Sequence, residues 1–122
     1  MQALKILGLM MLMASSVALG HGNTKPMHGG VVQMVGEQTF ELVAKPDGAE
    51  LYVVDDGEDI DSSTMSASMT IDTAGTKSEV VLLAAGGNKF VAKGAKLPSG
   101  AKVVVMLVDQ NQSKTTARFT LK

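Results

Sequence analysis

The sequence predicts an all-β fold, one sandwich or small barrel of about seven to eight antiparallel strands. Three observations predict it. From Gly30 almost to the C-terminus, apolar and polar residues alternate with the period of a half-buried strand. Turn signals rich in Gly, Pro, Asp and Asn interrupt that alternation at short intervals. No stretch of the same region carries the 3.6-residue apolar repeat of an amphipathic helix.

A first strand is expected over residues 30–35. Phe40, Leu42 and Ala44 then alternate with Thr39 and Glu41 ahead of Pro46-Asp47-Gly48, and Leu51 and Val53 resume the pattern, so the two runs form a hairpin. Next, Asp55-Asp56-Gly57-Glu58-Asp59-Ile60-Asp61 packs five carboxylates into seven residues. Hard cations favour such oxygen clusters, yet the spacing fits no calcium loop, and a solvated turn between strands accounts for it. The run from Thr64 to Ile71 places Met65, Ala67, Met69 and Ile71 on one face and hydroxyl side chains on the other, a strand with one wet face. Further strands are expected over 78–85, 89–92, 102–108 and 115–121. They are divided by Gly86-Gly87, by Leu97-Pro98-Ser99-Gly100 and by Asp109-Gln110-Asn111-Gln112. The run from Val103 to Val108 is apolar on both faces, as in a strand covered on both sides or one that meets a partner.

The start of the chain reads as a secretory signal peptide. Lys5 supplies the positive charge, residues 6–13 are apolar, and Ala14-Ser15-Ser16 begins a small-residue exit too close to leave room for a membrane anchor. Cleavage fits after Gly20, through Ala18-Leu19-Gly20, or after Ala18, through Ser16-Val17-Ala18. The expected organisation is therefore a signal peptide over 1–20, a flexible leader over 21–28 and one β domain over 29–122. The expected location is periplasmic, with no stable membrane insertion once the signal is removed.

Composition narrows the function. The chain of 122 residues has a formal charge of −1, and cleavage would remove Lys5 alone among the charged residues, making it −2; no nucleic-acid partner is expected. Without cysteine there is no disulfide, zinc thiolate, cysteine nucleophile or blue-copper site. Nucleophilic catalysis needs a positioned base, and the two histidines both lie near the start with no Gly-x-Ser-x-Gly elbow anywhere. A copper oxygenase built on a terminal histidine would want a flat aromatic platform, for which three Phe, one Tyr and no Trp leave little material. No enzyme is expected.

The remaining chemistry sits in His21-Gly22-Asn23-Thr24-Lys25-Pro26-Met27-His28. If cleavage falls before His21, its α-amine and imidazole chelate one ion, with His28 as a third nitrogen and Met27 as a soft neighbour; nitrogen ligands in a plane suit Cu(II). If it falls before Leu19, His21 stands third and makes the square-planar amine, amide and imidazole set for Cu(II) or Ni(II). The alternative is a leader that merely contains two histidines. Thioethers suit Cu(I) or Ag(I), but Met34, Met65, Met69 and Met106 lie in strand runs where core packing is expected, which leaves Met27 as the exception.

Four signatures in order, Met27-His28-Gly29-Gly30, Thr39-Phe40-Glu41-Leu42-Val43, Leu51-Tyr52-Val53-Val54-Asp55 and Ala117-Arg118-Phe119-Thr120-Leu121, carry a resemblance. The chain resembles small periplasmic proteins associated with heavy-metal efflux systems, and a β domain near the N-terminus of some metal-efflux adaptor (membrane-fusion) proteins. That resemblance implies a Gram-negative periplasm and a role in copper, silver or divalent-cation export, either handling the ion or contacting an adaptor or transporter of the efflux complex. Of the matching positions it carries a functional role only onto Met27 and His28. There is no Met-rich loop and no segment long enough for an adaptor's helical hairpin. A looser similarity, on size, class and His21 alone, is to periplasmic copper carriers of β-sandwich type. The expectation is thus a metal site at His21, His28 and Met27; its rival is a metal-free structural or protein-interaction domain.

Overall fold

The computed structural model describes residues 25–122. His21 and the signal segment lie outside the described residues. Eight strands form one antiparallel path: β1 (Val31–Val35), β2 (Gln38–Lys45), β3 (Gly48–Asp55), then, in chain order, a two-residue β4 (Glu58–Asp59) hung on β3, β5 (Ser66–Thr73), β6 (Thr76–Ala84), β7 (Lys89–Lys93), β8 (Lys102–Val108) and β9 (Lys114–Thr120). The spatial order is β1-β2-β3-β7-β6-β5-β8-β9. The two ends of that path, β1 and β9, come back side by side, so the sheet curls into a nearly closed barrel.

Alternation in the sequence becomes inside and outside. Phe40 and Leu42 of β2, Leu51 and Val53 of β3, Phe90 of β7, Met69 of β5 and Val103, Val105 and Leu107 of β8 point inward and are essentially inaccessible to water. Each large side chain so buried contributes about 1.5–3 kcal/mol of apolar transfer. With no disulfide in the chain, this interior is what offsets the entropy of ordering it.

Short turns set the registers. Val35 pairs Gln38, Asp55 pairs Glu58 and Thr73 pairs Thr76, each across a two-residue link. Asp56-Gly57 and Ala74-Gly75 have positive φ at both positions, 52° and 83° in the first and 53° and 91° in the second. That is the turn whose twist matches the strands it joins.

The acidic run is, as expected, a turn region: it holds the β3–β4 link and ends in Asp61, whose carboxylate accepts from the Ser63 N–H at 3.0 Å and caps a 3-10 turn at Ser62–Thr64. That turn delays β5, which starts at Ser66 rather than Thr64. The methionines divide. Met69 is buried and Met65 packs against the core, but Met34 and Met106 lie on the outer face, 36% and 37% exposed. Core packing, the expectation for both, fails because β1 and β8 carry apolar residues on each face and these two occupy the outward register.

Ala74 holds a left-handed conformation that costs a residue with a Cβ about 1 kcal/mol. Ala74→Asn, the residue that best tolerates that conformation ahead of glycine, should raise stability by about 0.5–1 kcal/mol. A urea titration would show a higher midpoint at unchanged slope.

Candidate functional site

Glu41 lies between two core residues of β2 and therefore faces outward, yet it is only 5% exposed. The segment ahead of β1 covers it. One carboxylate oxygen, Oε1, accepts from the Met27 N–H at 3.1 Å and bonds His28 Nδ1 at 2.9 Å. The other, Oε2, accepts from the His28 N–H at 2.8 Å and the Gly30 N–H at 2.9 Å. Burial pushes the Glu41 carboxyl up, but the bonds from the His28 side chain and from the Gly30, His28 and Met27 amides outweigh it and hold the group below its ordinary value.

The Gly-Gly of the opening motif lets the segment reach. A Cβ on Gly30 would sit 2.3 Å from the Leu42 carbonyl oxygen and 2.8 Å from Val43 Cγ2, so only glycine lets the chain lie this close to β2. Gly29, at φ 78°, turns the chain into that approach.

His28 is fixed from two sides. Its ring stacks on Tyr52 with centroids 3.5 Å apart and planes 3° from parallel. Tyr52 is the register partner of Glu41 on β3, and Lys89 is the partner of Tyr52 on β7. The Tyr52 hydroxyl donates to Glu50 Oε1 at 3.0 Å, Glu50 Oε2 meets Lys89 Nζ at 3.1 Å, and Lys89 lies 5.9 Å from the Tyr52 ring centre. Burial and the hydrogen bond to Glu50 push the Tyr52 phenol up. Burial pushes Glu50 up too, but Lys89 and the Tyr52 hydroxyl hold it below its ordinary value.

An ionised Glu41 can only accept, so the proton of a neutral His28 ring sits on Nδ1 and the lone pair on Nε2. The ring is partly exposed and borders a cleft of about 630 Å³. The cleft wall is apolar at Val32, Met34 and Val54, and its far end is acidic at Glu37, Asp56 and Asp59. Met27 stands at the same cleft, 73% exposed. Of the residues expected to bind a metal, the structure thus brings Met27 and His28 together. Among the described residues no three His, Cys, Asp or Glu side chains gather to hold an ion. An ion here would take its other donors from thioethers or from residues before Lys25.

Two participants escaped the sequence reading. Glu41 looked like an ordinary wet-face residue; the available signal was a lone carboxylate in a run whose outward neighbour Val43 is itself apolar. Met34 was assigned to the core. Comparisons of the chain with protein-family models, curated proteins and solved structures give no match.

Glu41→Gln should cost about 2–4 kcal/mol at pH 7, because an amide accepts on one side only and its NH₂ is set against a backbone N–H donor on the other. A carboxylate held below its ordinary value adds stability that is complete above the unfolded value of 4.5 and is lost as pH falls through the lower folded one. The stability gap between wild type and variant should therefore be full near neutrality, begin to narrow below pH 4.5 and go on closing as pH falls through the lower folded value, as urea titrations across that range would read.

Proposed function

We propose that this chain is a non-enzymatic, exported accessory protein that binds copper reversibly and presents it to an efflux partner. The observation that supports this best is the Glu41–His28 pair. Metal-ligating histidines characteristically donate their other ring N–H to a carboxylate, which fixes the tautomer and raises the basicity of the ligating nitrogen. His28 has that arrangement, with Nε2 left as the donor and Met27 beside it at a cleft. One imidazole with thioethers from Met27 and Met34 is a soft set that suits Cu(I) or Ag(I). If processing frees His21, its amine and imidazole add the nitrogens that Cu(II) prefers. The periplasmic setting and the efflux partner rest on the leader sequence and on the resemblance of the opening motif.

A second reading is favoured by the same geometry. The four bonds into Glu41 and the stack on Tyr52 would serve equally as a fastener that ties the segment before β1 onto the barrel, in a domain that works through protein contacts alone.

Copper titration separates the two. If His28 is a ligand, His28→Gln should weaken binding about 10–100-fold and Met27→Leu by a smaller factor, and wild-type affinity should fall between pH 7.5 and 5.5 as imidazole donors protonate. Glu41→Gln should also weaken it, because an amide donating to Nδ1 moves the ring proton onto Nε2. Under the fastener reading these variants lose stability and leave copper binding unchanged.

A further inference from the structure

Among the described residues β1 and β9 lie side by side without a strand pairing, and the barrel is open along a second seam, between β6 and β7. β6 pairs β5 along almost its whole length, from Thr73↔Thr76 to Ala67↔Leu82. On its other side it meets β7 only at Leu83↔Val91 and Ala84↔Phe90. Residues 76–82 therefore have no strand beside them on that edge, and among the described residues no other backbone bond reaches them.

The register says which groups this edge offers. Thr73 and Thr76 close a two-residue turn and form a hydrogen-bonded pair, so the next outward-pointing backbone groups fall on alternate residues, Lys77, Glu79 and Val81. Leu83 continues that series, and it is the residue that pairs with β7. The same three side chains stand on the outer face of the barrel, opposite in sense to buried Leu82, and all three are exposed.

We propose that this edge pairs with the same edge of a second copy, β6 against β6, antiparallel about a two-fold axis through Ser78. An isologous strand pair must set outward-pointing residues against outward-pointing residues, so the axis passes through a residue, and three choices bring at least two of the offered residues of each copy into register. An axis through Glu79 sets Glu79 against itself. An axis through Val80 sets Lys77 against Leu83, whose edge β7 already occupies. The axis through Ser78 sets Lys77 against Glu79 of the second copy, and the symmetry repeats the pair. Opposite charges directly across a strand pair are favourable and like charges are not. Asp72, the partner of Lys77 on β5, adds a second carboxylate next to the same lysine.

Charges on an exposed edge usually prevent such pairing, above all where a lysine would be buried by it. Here both charges point outward, stay in water on pairing, and differ in sign at a spacing that makes the edge complementary to itself. A net charge this close to zero leaves little repulsion between copies. The paired edge contributes about four main-chain hydrogen bonds, two for each Lys77–Glu79 pairing. So small a contact belongs to the weak class, in which association shows only at high protein concentration.

Sedimentation equilibrium of the purified protein from about 10 µM to about 1 mM at low salt reads the association directly. Wild type should dimerise, and the dimer should weaken as salt rises. Lys77→Glu and Glu79→Lys should each weaken it about tenfold or more by setting like charges opposite one another. The double exchange, Lys77→Glu with Glu79→Lys, restores the pairing in reverse and should return affinity to within about threefold of wild type, which a merely misfolded variant would not do. Amide exchange at Lys77 and Glu79 should slow as protein concentration rises. A monomer at 1 mM, single variants that associate like wild type, or a double exchange that stays weak would each overturn the proposal.

Discussion

A carboxylate on the outside of a β barrel ordinarily belongs to water. Glu41 has instead given up nearly all of its exposure, and a charge so placed is tolerable only while its oxygens accept hydrogen bonds. All four of those bonds come from residues 27–30, so the opening segment and the carboxylate hold each other in place. The backbone approach that Gly30 permits, the tautomer of His28 and the stacking of its ring on Tyr52 all follow from satisfying that one group. The cleft beside them is bounded by that segment and by outward-facing residues of β1, β2 and β3.

Several apolar side chains stand on the barrel's outer face. Val32, Met34 and Val54 line the cleft, while Val81 and Leu83 are largely exposed on β6 and Met106 on β8. Scattered single apolar residues on a surface carry no message. Here, though, three of them line the cleft under the opening segment, and Val81 and Leu83 stand on β6 beside its seam with β7. β7 has five residues and cannot cover the nine of β6, while the chain before β1 folds back over outward-facing Glu41 of β2.

Most of the fold was legible in the residues. Strand positions came through because period-two alternation is forced by a sheet with one face in a core, and the turns came through because Asp-Gly, Pro-Asp-Gly and Gly-Gly have few other conformations to choose. The boundary of β5 was missed because Asp61 caps a turn through its side chain, a competition between side-chain and backbone bonding that apolar periodicity does not register. Met34 and Met106 were misplaced for a related reason. In β1 and β8 each face carries apolar residues, so periodicity alone does not say which is inward.

The site was legible only in half. His28 stood out because the chain has two histidines and no cysteine, and Met27 because it lies beside His28 and outside any strand run. Glu41, the group that orients them, is separated from His28 by a full hairpin arm and is indistinguishable in sequence from any wet-face carboxylate. The sequence by itself determined an all-β chain, the positions of its strands and the gathering of both histidines near the start. Only the tertiary structure decided that β2 runs beneath residues 27–30, that one carboxylate gathers four donors there, and that β6 is left with an open edge. Alternation is local and survives in the one-dimensional record, whereas burial of a charge and exposure of an edge depend on which strands happen to meet.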